Sequence, residues 1–278
     1  MGLEDDLAAT NRQNVPVKTI AVMANKGGVG KTGITLGLAG AAAHRGLAVL
    51  VIDLDPQGNA TSHLKTRKGR MSLADVLASP LPDTFIDAIS ICDWDASIGE
   101  VDVLPSHPDI IRFDAWTQGK STTKLRRAMK GVEGYDLVLI DCPPSLGALT
   151  REALTAADKA LIVTTPSYFG AQGVEKSLAE ITEIQKTTNP ELELAGIVMN
   201  RFRPTAEEHN YRLSELTDIV GARMILKPLL PERMVFQQAE GSGAPVQAIP
   251  GVAAREVGEI LNSYLTKLLR EPRVTEAV

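Results

Sequence analysis

The sequence predicts an α/β fold: a doubly wound, mostly parallel sheet with helices on both faces. Three observations predict it. Short runs of β-branched and apolar residues alternate with longer Ala- and Leu-rich segments along most of the 278 residues, the pattern of βαβ units. Several of those runs lack polar alternation, as strands buried on both faces do. Aromatics make up only 4% of a chain that is 44% hydrophobic, so Ala, Val, Leu and Ile must fill the core.

The elements follow in order. Val17 to Ala24 reads as a buried strand, and Thr32 to His44 as a helix closed by Gly46. Ala48 to Asp53 is a second strand, Ser72 to Ala78 a short helix, and Glu100 to Leu104 a third strand. Thr122 to Lys130 is a basic helix, and Tyr135 to Cys142 a strand stopped by Pro143 and Pro144. Arg151 to Ala157 is helical, Ala160 to Thr165 a strand, Gly173 to Lys186 an amphipathic helix, and Ala195 to Asn200 a strand. Ala206 to Val220 forms a helix, Arg223 to Lys227 a strand, and Val252 to Leu269 the closing helix. No repeat or low-complexity tract interrupts this series. The expected organisation is a flexible lead-in over 1–16, one domain over 17–270 and a tail over 271–278.

Composition narrows the function. The net charge of -5 and pI of about 5.5 exclude a uniformly cationic, nucleic-acid-coated surface, although a local basic patch is compatible. Cys92 and Cys142 form neither a disulfide framework nor a metal-ligand spacing, which suits a reducing cytoplasm. The polar, acidic N-terminus is unlike a signal peptide, and no apolar run reaches the length of a membrane span.

Between the first strand and first helix stands Asn25-Lys26-Gly27-Gly28-Val29-Gly30-Lys31-Thr32. Glycines there let backbone N–H groups turn inward around phosphate oxygens, and the helix start adds its positive dipole end. A lysine and a hydroxyl at the end of such a loop suit a nucleotide's β- and γ-phosphates and its Mg²⁺ ion, here Lys31 and Thr32. Two acids, Asp53 and Asp55, close the second strand, and strand alternation points them the same way. A third, Asp141, follows four apolar residues near the end of the strand Tyr135 to Cys142. Acids at the carboxyl ends of parallel strands border the crevice where such sheets bind ligands.

The loop departs from the plain P-loop: Asn25 replaces the usual first glycine and a second lysine, Lys26, opens it. Together with Asp-Leu-Asp-Pro-Gln-Gly-Asn-Ala-Thr (53–61) and Tyr-Asp-Leu-Val-Leu-Ile-Asp-Cys-Pro-Pro-Ser-Leu-Gly (135–147), it resembles the P-loop, switch I and switch II of ParA (Soj-like) partition ATPases in the deviant Walker A family. The resemblance covers most of the chain. It implies ATP and Mg²⁺ as ligands and an ATP-dependent homodimer. It further implies nonspecific DNA binding, a ParB-like partner that stimulates hydrolysis, and a cytoplasmic, nucleoid-associated location. Carried over residue by residue, it implies catalytic roles for Lys26, Lys31 and Asp55, with Lys26 crossing to the partner's phosphates and Asp55 positioning water. It implies nucleotide contacts from Lys26 through Gly33 (Lys26, Gly27, Gly28, Val29, Gly30, Lys31, Thr32, Gly33), and adenine contacts from Asn200 and Pro231. It implies that Thr32, Asp53 and Asp141 surround the metal. Relatives hold DNA with late basic residues; Arg255, Lys267 and Arg270 are the first choice here. Gly33 departs from the family's second hydroxyl; it costs a helix up to about 1 kcal/mol against Ala and lowers the expected nucleotide affinity.

Other features are set aside. His44, His63, His107 and His209 share no metal spacing, and Lys120, Lys124, Arg126, Arg127 and Lys130 read as a solvated helix face. A MinD-like membrane ATPase or a positioner of non-DNA cargo are the alternatives within the resemblance. The first would need an amphipathic anchor at Leu261 to Leu269, and the tail after it is acidic. An electron-transferring iron protein would need a cysteine pattern that Cys92 and Cys142 do not supply.

Overall fold

The computed structural model describes residues 17–64, 71–116 and 123–270. The lead-in, the tail and Lys120 lie outside them. In chain order the elements are β1 (Lys18–Met23), α1 (Lys31–Ala43), β2 (Val49–Asp53), α2 (Asn59–Leu64), α3 (Leu73–Ala78), α4 (Pro82–Ala88), β3 (Ser90–Ile91), β4 (Val101–Leu104), α5 (Ile111–Trp116) and α6 (Lys124–Ala128). They continue with β5 (Leu137–Asp141), α7 (Ala148–Ala156), β6 (Lys159–Thr164), α8 (Tyr168–Thr187), β7 (Glu193–Met199), α9 (Glu207–Val220), α10 (Val235–Ser242) and α11 (Val252–Leu268).

The described strands form one sheet in the order β3-β4-β2-β5-β1-β6-β7. Every neighbouring pair is parallel except β3 with β4. Successive strand residues feed opposite faces. Ile20, Val22, Leu137 and Leu139 join one core with α1 and α11; Ala21, Met23, Val138 and Ile140 join the other with α3, α4, α6, α7 and α8. Both faces are therefore covered, which explains why the strands read as unbroken apolar runs. α1 lies so close to α11 that a Cβ on Gly37 would meet Leu261 Cδ1 at 2.6 Å.

Three details differ from the sequence expectation. Arg223 to Lys227 is not a strand: Ala222–Met224 is a 3₁₀ turn, and Ile225 makes a single bridge to Ile197. α8 begins at Tyr168, earlier than periodicity indicated, because Ser167 caps it by accepting a hydrogen bond from Gly170 N. The short elements α2, α4, α5, α10 and β3 carry too few residues to show a period.

Candidate functional site

The sheet brings β1, β2 and β5 together with their carboxyl ends at one edge. In register, Val22 lies opposite Asp141 and Asp53 opposite Asp141, so two carboxylates sit side by side on adjacent strands. The loop after β1 runs over them. Gly28 and Gly30 take positive φ of 77° and 88°, a region that disfavours any side chain. A Cβ at Gly27 or Gly28 would point into open space, whereas one at Gly30 would strike Asn200 Nδ2 at 2.4 Å. Asn200 explains that crowding: its amide donates to Val29 O at 2.7 Å and fastens the loop to the end of β7.

Lys31 and Thr32 open α1 with Gly30 as the cap. Lys31 is buried and its Nζ lies 2.8 Å from Asp141 Oδ1. Burial alone would lower the lysine's pKa; the adjacent Asp141 carboxylate outweighs this, and the net shift is upward. Thr32 Oγ1 donates to Asp141 Oδ2 at 2.8 Å, and Thr35 Oγ1 donates to Asp141 Oδ1 at 2.9 Å. Asp141 thus gathers a lysine and two hydroxyls beneath the glycine loop.

Asp53 and Asp55 do not point the same way. β2 ends at Asp53, so strand alternation stops before Asp55. Asp53 is fully buried and accepts from Thr61 N at 2.8 Å, Thr61 Oγ1 at 2.7 Å and Asp55 N at 3.1 Å. Burial and then repulsion from Asp141 push its carboxyl up to about 7. Asp55 instead faces the cavity. Its backbone is held at both ends, by Asp53 at N and by Ser106 Oγ on its carbonyl at 2.6 Å, and its Oδ1 accepts from Gln57 N at 3.0 Å.

These residues border a cavity of about 590 Å³. Lys26 through Gly33 line one side, Asp55, Gln57 and Asn59 another, and Leu36, Phe236, Ala239, Pro245 and Val246 form an apolar wall. Of the predicted base contacts, Asn200 holds the loop from behind and Pro231 bridges Phe202; neither lines the cavity. Gly33 does line it, and a Cβ there would meet Phe236 Cδ1 at 3.1 Å. Lys26 stands at the exposed rim with its amine 5.9 Å from the Phe169 ring.

A chamber with a glycine cradle, a helix start and an apolar wall suits a nucleotide triphosphate. A family model described as an AAA domain matches residues 17–194. The chromosome-partitioning ATPase Soj of Thermus thermophilus is 38% identical over 189 residues, 67% of this chain and 70% of that protein. The sporulation initiation inhibitor protein Soj of Bacillus subtilis is 30% identical over 234 residues, 82% of this chain and 90% of that protein. The chain belongs to the Soj-like ParA family. A structure of cobyrinic acid a,c-diamide synthase from Mycobacterium smegmatis with bound ATP analog and magnesium superposes at a TM-score of 0.74, with 26% identity, covering 90% of this chain and 93% of that one.

This ParA-family chain is accordingly a partitioning ATPase that uses ATP and Mg²⁺. Its own residues fit both ligands. The open cradle at Gly27 and Gly28 leaves room for phosphate oxygens, and Thr32 and Asp141 offer the hard oxygen donors Mg²⁺ prefers. Among the described residues no cluster of three or more His, Cys, Asp or Glu side chains forms a protein-only metal cage.

The rest of the ParA-family chain bears on the alternatives. Leu261, Tyr264, Leu265 and Leu268 of α11 are buried in the core shared with α1, so the face a membrane anchor would use is already packed. Among the described residues no helix is long and apolar enough to cross a membrane. Cys92 and Cys142 are both buried, and burial pushes both thiols well above the usual range. Arg255, Lys267 and Arg270 are exposed, and Arg270 lies beyond the end of α11. Arg255 and Lys267 are about 18 Å apart along α11, and Lys267 Nζ donates to Lys227 O at 2.6 Å. Sequence reading gave no role to Thr35, Thr61 and Ser106, polar residues in apolar or loop contexts, and set aside His63, which lines the cavity and bonds Ala244 O at 3.2 Å.

Proposed function

We propose that ATP joins two subunits face to face, that the dimer binds DNA without regard to sequence, and that a ParB-like partner stimulates hydrolysis and release. The cycle would run in the bacterial cytoplasm, on the nucleoid, and move a plasmid or chromosome region. One observation carries this reading: the loop presents two lysines in opposite settings. Lys31 is buried on Asp141 beneath the cradle, and Lys26 stands at the open rim. The first suits the β- and γ-phosphates of its own subunit's nucleotide; the second suits those of a partner.

In this reading Thr32, Asp53 and Asp141 hold the metal side of the site, Asp53 through its contacts with Thr61 and the switch backbone. Mg²⁺ bound there would supply charge neutralisation to the phosphates. Asp55 orients the attacking water, a role that its place on the cavity wall supports. The loop backbone from Gly27 to Gly33 holds the phosphates, and the base lies against the apolar wall of Leu36, Phe236 and Val246. Asn200 and Pro231 act behind these groups, Asn200 by fixing Val29 and so the shape of the cradle.

DNA binding must come from local patches that the dimer doubles, because the chain is net negative. Arg255, Lys267 and Arg270 are the residues proposed to meet phosphates. With about three phosphates neutralised the salt slope is roughly -2.7, so a fourfold rise in salt weakens binding about 40-fold. A mobility-shift titration in ATP and in ADP at several salt concentrations tests this. Replacing the three residues together by Ala is expected to lower DNA affinity and leave DNA-free ATPase activity intact. Equal binding in ADP and ATP, or none at low salt, refutes the mechanism.

A further inference from the structure

Asp141 is held by three donors, and only two of them are groups that a nucleotide and its cation call upon. Lys31 Nζ and Thr35 Oγ1 share Oδ1 at 2.8 and 2.9 Å, while Thr32 Oγ1 takes Oδ2 at 2.8 Å. Lys31 and Thr32 line the cavity; Thr35 does not. Thr35 lies one turn further along α1, fully buried, with its hydroxyl also 3.2 Å from Lys31 O. A hydroxyl has a single proton to give, and a charged acceptor at the shorter distance takes it in preference to a carbonyl.

When Lys31 turns toward phosphate, Asp141 Oδ1 loses one of its two donors and keeps only Thr35, whereas Thr32 can meet a cation through an oxygen lone pair and still give its proton to Oδ2. Asp53 stands beside Asp141 in register across β2 and β5, so an unheld Oδ1 would be repelled as well as left without a partner. We infer that Thr35 is a positioning residue for the ATPase reaction: its hydroxyl holds Oδ1 and keeps Asp141 aimed at the cation side of the site after Lys31 has left that oxygen. The inference rests on the reading of Lys31, Thr32 and Asp141 as the phosphate and metal groups. A hydrogen bond to a buried charged group is worth enough that its loss should cost roughly ten- to a hundredfold in the property it supports.

The test uses Thr35→Val, which keeps the side chain's shape and removes the donor, Thr35→Ala, which removes both, and Thr35→Ser, which keeps the donor. A fluorescent ATP analogue is titrated onto each purified protein in EDTA and across a Mg²⁺ series, with Lys31→Ala as reference. ATP hydrolysis is followed over the same series. In EDTA the Val and Ala variants are expected to bind the analogue within about twofold of the parent, since the phosphate cradle is untouched. The gain in affinity on adding Mg²⁺ should fall by roughly ten- to a hundredfold, the Mg²⁺ needed for half-maximal hydrolysis should rise correspondingly, and Thr35→Ser should restore both. If the Val variant does not fold, an impaired Ala variant beside a parental Ser variant supports the role equally. A parental Mg²⁺ response in Val or Ala overturns the inference, as does a Ser variant as impaired as Val, which would mark a packing role. If Lys31→Ala binds the analogue like the parent, the reading of the site itself fails, and the inference with it.

Discussion

Replacing Lys31 by Ala should do more than remove the proposed phosphate contact. Its amine is 2.8 Å from Asp141 Oδ1, with the two side chains 7% and 0% exposed. At that separation and an effective dielectric of about 20, the attraction is about 6 kcal/mol before desolvation is counted. The desolvation of Asp141 remains when the lysine goes, and breaking a buried pair from one side typically costs about 3–5 kcal/mol. Thr32 and Thr35 still donate to Asp141, which places the expected loss near the lower end, about 3 kcal/mol. Chemical denaturation of the nucleotide-free protein measures it. Asp141→Asn removes the uncompensated charge, so the double variant Lys31→Ala/Asp141→Asn should be more stable than the sum of the single losses predicts, by more than about 1 kcal/mol. ATPase activity should be absent in both lysine variants. Additive losses, or a Lys31→Ala protein as stable as the parent, would refute the view that Asp141 is the resting partner of Lys31.

Lys26→Ala removes a rim amine that bonds no phosphate of its own subunit in the proposed mechanism; it should still bind ATP but fail to form a stable ATP dimer. Analytical ultracentrifugation with ATP decides, and an undiminished dimer with normal turnover would leave Lys26 a surface lysine. Asp55→Ala should slow hydrolysis by about 10²–10⁴ and accumulate the ATP-bound dimer, so a variant that stays monomeric in ATP counts against a role in orienting water. Burial and then the neighbouring Asp141 push the Asp53 carboxyl up to about 7 in the fold, against about 3.9 in an unfolded chain. The folded state therefore holds the proton longer, and the stability this contributes is complete below about pH 4 and lost as pH rises through about 7. Relative to Asp53→Asn, the parent should lose unfolding free energy as pH rises across that window. Denaturation at several pH values checks the slope, and parallel curves for the two proteins would exclude Asp53 as its source.

The sequence by itself determined the fold class and the location of the phosphate loop, because both are local signals. β1 and β5 are unbroken apolar runs, and the loop's glycines, lysine and threonine are contiguous. Local signals also placed Asp55 and Asp141 at strand ends, where parallel strands deliver their carboxyl termini to one edge. They failed where an element is too short for a period, as at α2 and α10, and where backbone polar groups are satisfied by a turn, as at Ala222–Met224. Only the tertiary structure decided what each acid does. Asp53 and Asp55 are two residues apart, yet β2 ends between them, so one is buried on Thr61 and the other faces the cavity. Likewise Asn200 meets Val29 across 171 positions, and Thr35 meets Asp141 across 106. Contacts of that separation depend on strand order and register, which no stretch of sequence encodes locally: they exist because β1 lies between β5 and β6 in the sheet.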